Sequence, residues 1–288
     1  MSIDVNAVVG KEMASIPFSW EHRDTILYAL GVGIGVGVSP VDENVLRYTY
    51  ENENLRVLPS FGVVPAFPAL TGIFGVPGFD INPMMILHGE QYTEILCDQI
   101  PTKADTTTTS RVQAVYDKGK GALAVLEAVT TTTDGQDLFK NVFGIFIRGE
   151  GGFGGESGPP PGNDRPERAP DHTLEYPTMT HQAILYRLSG DYNPLHIDPD
   201  FAALGGFDRP ILHGMCTYGN CARGAIDAVC GGDPNRLRSI KARFATPVMP
   251  GETIIVDLWK ESDTKYILGA RVKERGVDVV KNAAVVIR

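Results

Sequence analysis

The most regular hydrophobic spacing lies in the C-terminal half, where Leu212, Met215, Cys216, Gly219, Ala222, Ile226 and Val229 recur at helical intervals. The spacing predicts a helix with one buried face, rich in small residues that allow close packing. Segments 239–244, 253–259, 266–273 and 277–287 follow it, rich in β-branched residues and separated by Pro250-Gly251, Asp263 and Gly276, and read as strands. The N-terminal half predicts a parallel series, with strands at 106–116, 122–131 and 138–147. A short helix at 25–30 runs into Gly31, Gly33, Gly35 and Gly37, and glycine is the residue that supplies a left-handed helix cap. Residues 57–80 are apolar but carry Pro59, Pro65, Pro68 and Pro77, which resist one long regular element. Ile86-Leu87-His88-Gly89 repeats Ile211-Leu212-His213-Gly214, so residues 86–92 read as a degraded copy of the later helix start and the chain as containing itself twice. A helix followed by successive antiparallel strands, two times over, is an α+β pattern, whereas a βαβ enzyme would alternate.

Residues 149–170 are dense in Gly and Pro, include Pro159-Pro160-Pro161 and hold almost no large apolar side chains. They read as a linker. The expected organisation is an N-terminal repeat at 1–148, the linker at 149–170 and a C-terminal repeat at 171–288. The glycines of 149–155 resemble a phosphate cradle but lack the Lys-Ser/Thr of a P-loop, and the Gly31 to Gly37 run follows no strand, which argues against a dinucleotide fold.

The 288 residues suffice for two domain-sized halves, and a net charge of -9 argues against a nucleic-acid binder. It leaves room for a local basic patch. Cys97, Cys216, Cys221 and Cys230 show neither metal-site spacing nor disulfide density, which suggests reduced thiols in an intracellular protein. Asp4 and Glu12 interrupt any secretory signal, residues 26–38 are too short and glycine-rich to span a bilayer, and Val285-Val286-Ile287-Arg288 is no Ser-Lys-Leu ending.

The candidate chemistry lies in Gly190-Asp191-Tyr192-Asn193-Pro194-Leu195-His196. Gly190 and Pro194 keep this stretch from being helical throughout, so the loop can turn Asp191 and His196 toward one point. A carboxylate and an imidazole sharing a water can take one proton from it and return another to carbon, as addition of water to a double bond requires. Asn193 would position the water. The bland alternative is that Asp191 and Asn193 close side-chain turns and His196 is a satisfied loop histidine. Gly214, opening the predicted helix, offers backbone N–H groups without intrahelical partners, suited to a carbonyl oxygen that gains charge; otherwise it merely allows close packing.

The stretches YRLSGDYNPLHIDPDFA and FDRPILHGMCTYG, with YALGVG, ILHGEQY and RGEGGFGG upstream, resemble the hydratase 2 branch of the MaoC-like enoyl-CoA hydratases over nearly the whole chain. The resemblance implies a double hot dog, each half an antiparallel sheet wrapped around a helix, with the first half degenerate and widened for the acyl chain. It implies (R)-specific hydration of trans-2-enoyl-CoA to (3R)-3-hydroxyacyl-CoA in fatty-acid metabolism, without metal or redox cofactor, by a homodimer. The implied catalytic positions are Asp191, His196, Asn193 and Gly214. The implied substrate contacts are His88, Gly89, Lys118, Tyr192, Pro194, Leu195 and Phe244.

The expected partner is an acyl-CoA thioester, with no nucleic acid and no membrane span, in the cytoplasm or, in a eukaryote, the peroxisome. The alternatives are a 3-hydroxyacyl dehydratase acting on carrier-protein thioesters, a thioesterase on the same fold, and a non-catalytic acyl-CoA-binding subunit.

Overall fold

The structure is a computed structural model and describes residues 3–288. In chain order it runs through α1 (Val5–Val8), β1 (Ile16–Trp20), α2 (His22–Gly31), α3 (Glu43–Thr49) and α4 (Val63–Gly72). Four long strands follow, β2 (Ile86–Ile95), β3 (Ala104–Asp117), β4 (Gly121–Thr132) and β5 (Asp137–Arg148). After them come β6 (His172–Pro177), α5 (Gln182–Tyr186), α6 (Pro199–Leu204) and α7 (Gly214–Val229), then β7 (Leu237–Phe244), β8 (Thr253–Lys260), β9 (Lys265–Val272) and β10 (Asp278–Ile287).

Two compact units divide these elements, and they do not follow a single cut in the chain. The first holds residues 1–19, 62–97 and 105–162; the second holds 20–61, 98–104 and 163–288. Residues 20–61 join the second unit because the free carbonyls at the end of α2 find donors there. Gln182 Nε2 donates to the carbonyls of Leu30 (3.1 Å) and Gly31 (2.6 Å), and Arg223 Nη1 donates to that of Val32 (2.9 Å). Gly33, Gly35 and Gly37 then take φ of +87°, +87° and +73°, so the glycine run is a left-handed turn sequence.

In the first unit the strand order is β1-β3-β4-β5-β2, antiparallel where β2, β3, β4 and β5 pair. Ala122, Ala124, Leu126 and Ala128 alternate along β4 and put their side chains into one core with Val112, Phe143, Ile145, Ala66, Ala69 and Ile73. The helix against this face, α4, forms despite its prolines: Pro65 lies in the first turn, where an N–H has no intrahelical partner, and only Pro68 removes an interior bond. Residues 86–92 are not a helix start. They belong to β2, where Gln91, Thr93 and Ile95 are buried at a period of two and the strand pairs with β5, a pattern helical spacing cannot satisfy.

The glycines of 149–155 cradle an anion from the chain itself. The Asp117 carboxylate accepts from the N–H groups of Gly119, Gly152 and Gly154, each at 2.8 Å, which hold its carboxyl below the usual range. Gly152 and Gly154 reach that arrangement at φ of +80° and +77°. The cradle closes a loop, with no nucleotide involved.

In the second unit the order is β7-β10-β9-β8-β6, again antiparallel, with α7 against β6, β7 and β8. Every residue from Met215 to Ile226 is buried. That depth needs glycine at position 224, where a Cβ would come within 2.8 Å of Val256 Cγ1. The α+β architecture, with an antiparallel sheet and a helix on its face in both units, is the one the alternating patterns imply.

Candidate active site

The loop between α5 and α6 is set by local chemistry before any tertiary contact. Gly190 takes φ +116°, ending a 3-10 turn at 187–189 that a side-chain-bearing residue would strain. Asp191 Oδ1 accepts from the N–H of Asn193 (3.2 Å), and Asn193 Oδ1 accepts from that of Leu195 (3.0 Å), opening a second 3-10 turn at Pro194–His196. The turn-closing role weighed against catalysis is therefore real for both residues. It occupies one oxygen of each and leaves the other carboxylate oxygen of Asp191 and the Nδ2 of exposed Asn193 for a further partner.

His196 is buried and its Nδ1 meets the Ile211 carbonyl at 2.9 Å. A carbonyl only accepts, so Nδ1 carries the proton and Nε2 presents a lone pair. The segment between α6 and α7 brings in His213, fully buried, whose Nε2 donates to the backbone carbonyl of Asp191 (3.1 Å) and whose ring stacks on His196 at 3.7 Å between centroids. One ligand atom from each of Asp191, His196 and His213 lies within 4.8 Å of the others. Each imidazole commits one nitrogen to a backbone carbonyl, Nδ1 in His196 and Nε2 in His213, and keeps the other for a further partner. A carboxylate this close to an imidazole with a free nitrogen can pass a proton through a shared water.

Burial sets the electrostatics. It pushes the Asp191 carboxyl up and the His196 imidazole down, with the mutual attraction of the two opposing both shifts. His213 is pushed down to about 2, by burial first and by the neighbouring His196 second, and stays neutral.

Gly214 follows His213 directly and opens α7. His213, as N-cap, has extended backbone (φ -55°, ψ 131°) and gives no side-chain cap, and among the described residues nothing accepts from the Gly214 N–H. Gly214 is exposed, and a Cβ on it would lie 3.4 Å from the Phe244 ring, so the expected substrate-contacting phenylalanine packs beside the expected amide donor. Asp191 and His196 thus meet beside His213, which Gly214 and its neighbouring Phe244 ring adjoin, and exposed Asn193 heads the turn that carries His196. Tyr192 is exposed with Arg187 over its ring at 5.0 Å, Pro194 heads the 3-10 turn, and half-buried Leu195 accepts from Ile211 N–H at 3.4 Å.

His88, Gly89 and Lys118 belong to the first unit. His88 and Gly89 lie on β2 at an irregularity in its pairing with β5, and burial holds the His88 imidazole down to about 4. Lys118 sits in the turn between β3 and β4, its Nζ donating to the Ser157 carbonyl. His213 is the residue sequence reasoning passed over. Its one sequence signal is its place immediately before Gly214, at the mouth of a helix.

Residues 18–149 match the model of the MFE-2 hydratase 2 N-terminal domain, and residues 162–283 match that of the MaoC like domain. A probable enoyl-CoA hydratase 2 of Dictyostelium discoideum is 40% identical over 297 residues, covering 100% of this chain and 97% of that one. A peroxisomal enoyl-CoA hydratase 2 of Arabidopsis thaliana is 40% identical over 277 residues, covering 91% and 89%. The crystal structure of a MaoC-like dehydratase from Phytophthora capsici superposes with a TM-score of 0.85 at 36% identity, covering 99% of each chain. With both halves matched in order and relatives aligned nearly end to end, the chain belongs to the MaoC-like family, in the branch that carries the hydratase 2 N-terminal domain.

Proposed function

We propose that the protein adds water across the double bond of trans-2-enoyl-CoA thioesters to give (3R)-3-hydroxyacyl-CoA, in fatty-acid metabolism, without a metal or redox cofactor. The observation that carries this reading is the half-buried Asp191 and buried His196 beside His213, the residue that precedes a helix beginning with an unpartnered N–H at Gly214. The thioester carbonyl oxygen accepts from Gly214, which draws electrons from the C2=C3 bond and leaves C3 electrophilic. A water ordered by Asn193 Nδ2 attacks C3, and the couple takes one of its protons and delivers one to C2, so that the pair ends with the proton count it began with. The relatives named enoyl-CoA hydratase 2 support the same substrate class.

Tyr192, Pro194, Leu195 and Phe244 form the substrate-facing surface beside the couple in this proposal, with His88, Gly89 and Lys118 as contacts from the first unit. The working form is a homodimer inside the cell, cytoplasmic or, in a eukaryotic source, peroxisomal. Among the described residues no helix is long and apolar enough to cross a membrane, and all four cysteines are buried thiols outside any disulfide.

The test is to mix purified protein with trans-2-enoyl-CoA of several chain lengths, follow loss of the conjugated enoyl absorbance and resolve the product on a chiral column. Appearance of the 3R alcohol supports the proposal; an unchanged absorbance or a 3S product contradicts it. Faster dehydration of a carrier-protein thioester than of its CoA counterpart would assign the same atoms to the reverse reaction.

A further inference from the structure

The second unit holds a cavity of about 440 Å³ beside the C-terminal half of α7. Asp227 on its rim lies thirteen positions along α7 from Gly214, roughly 20 Å along the axis, so the cavity is distinct from the acid-base site. Ile34, Val38, Val45, Leu58 and Ile226 make its walls apolar, and Arg223 supplies a cation.

Arg223 is only 8% exposed, and among the described residues no carboxylate lies within ion-pair distance of it. Its Nη1 donates to the Val32 carbonyl (2.9 Å) and Asn220 Oδ1 (3.0 Å), and its Cζ lies 4.5 Å from the centre of the Tyr176 ring. Nε is shut away from solvent without a partner. With Nη1 turned to the backbone and Nε enclosed, Nη2 is the nitrogen left for the cavity. A buried guanidinium with no direct ionic partner is costly unless something supplies one.

Three carboxylates share the rim, and Asp227, one turn along α7, acts on Arg223 electrostatically without pairing with it. Asp227 accepts from Tyr176 Oη (2.6 Å), Glu175 pairs with Lys273 (2.6 Å), and Asp42 accepts from the N–H of Asn44 (2.8 Å). The cavity therefore offers apolar walls and, at one side, a guanidinium that no carboxylate contacts directly, a place for the head of a short chain that ends in an anion.

We propose that this cavity binds a small organic carboxylate, its head on Arg223 and its apolar body against Val38, Val45 and Ile226. The site stands independently of the hydration reaction.

Calorimetric titration of the full chain with hexanoate and, separately, with hexan-1-ol tests it. Hexanoate is expected to bind about tenfold or more tightly than the alcohol, the scale of a charge-assisted contact. Arg223→Gln and Val38→Trp are each expected to weaken hexanoate about tenfold or more, whereas Asp191→Asn leaves it unchanged. Val38 is 48% exposed, so Val38→Trp fills the pouch from outside and decides the matter should Arg223→Gln fail to fold. Absence of hexanoate binding, equal binding of the alcohol, survival of binding in Val38→Trp, or its loss in Asp191→Asn would each overturn the proposal.

Discussion

The imidazoles of His196 and His213 stack with 3.7 Å between centroids and 28° between planes. Two cations at that separation would repel strongly, and His213, fully buried and pushed down to about 2, is the one that stays neutral. In the unfolded chain it binds a proton near 6.5, so between 6.5 and about 2 the unfolded state holds the extra proton. Stability from this residue is therefore full above 6.5 and is lost as pH falls, by about 1.4 kcal/mol per pH unit for one proton. His213→Phe should flatten the acid limb of denaturant-unfolding stability by about one proton. An unaltered slope would mean that His213 titrates in the folded protein.

Gly214 can lose its N–H without losing its helix. Proline is tolerated at the first helical position, and His213 already has the extended backbone that a residue before proline adopts. Gly214→Pro should keep its circular dichroism and melting behaviour while kcat for enoyl-CoA hydration falls by about 10² to 10³. Wild-type kcat in that variant would remove Gly214 from the reaction.

The Asp117 cradle is a local device on an exposed turn. Asp117→Asn halves the acceptor strength offered to Gly152 and Gly154, so hydrogen exchange at those amides and proteolysis within 149–158 should quicken, with the melting temperature of the chain little changed. Unchanged exchange would show the loop held by other contacts.

Helix α7 sits so close to β8 that position 224 accepts no side chain. Gly224→Ala would force a Cβ to 2.8 Å from Val256 Cγ1, in a buried layer with no room to yield, and should cost about 1 to 3 kcal/mol in chemical denaturation. Gly224→Ala paired with Val256→Ala should recover part of that loss.

Much of this was legible in local pattern. The β-branched runs of β3 to β5 and β7 to β10 and the spacing of α7 mark those elements within a few residues, because alternation and helical periodicity are properties of the segment itself. The loop holding Asp191 and His196 was legible for the same reason, its turns being closed by Asn193 and Gly190. Residues 86–95 were not, since their echo of the α7 start is short and their identity as a strand depends on β5, some fifty positions on. Membership of α2 in the second unit rests on Gln182 and Arg223, more than 150 positions from the carbonyls they bind. His213 escaped for a related reason: its part comes from a stack on His196 that no spacing encodes.

The most direct measurement is the hydration rate of trans-2-enoyl-CoA by wild type, Asp191→Asn and His196→Gln, prepared together and checked for equal folding. If the couple moves the protons, each substitution lowers kcat by about 10² to 10⁴ and the double variant is hardly slower than either single one. Folded single variants that hydrate at the wild-type rate would contradict the account.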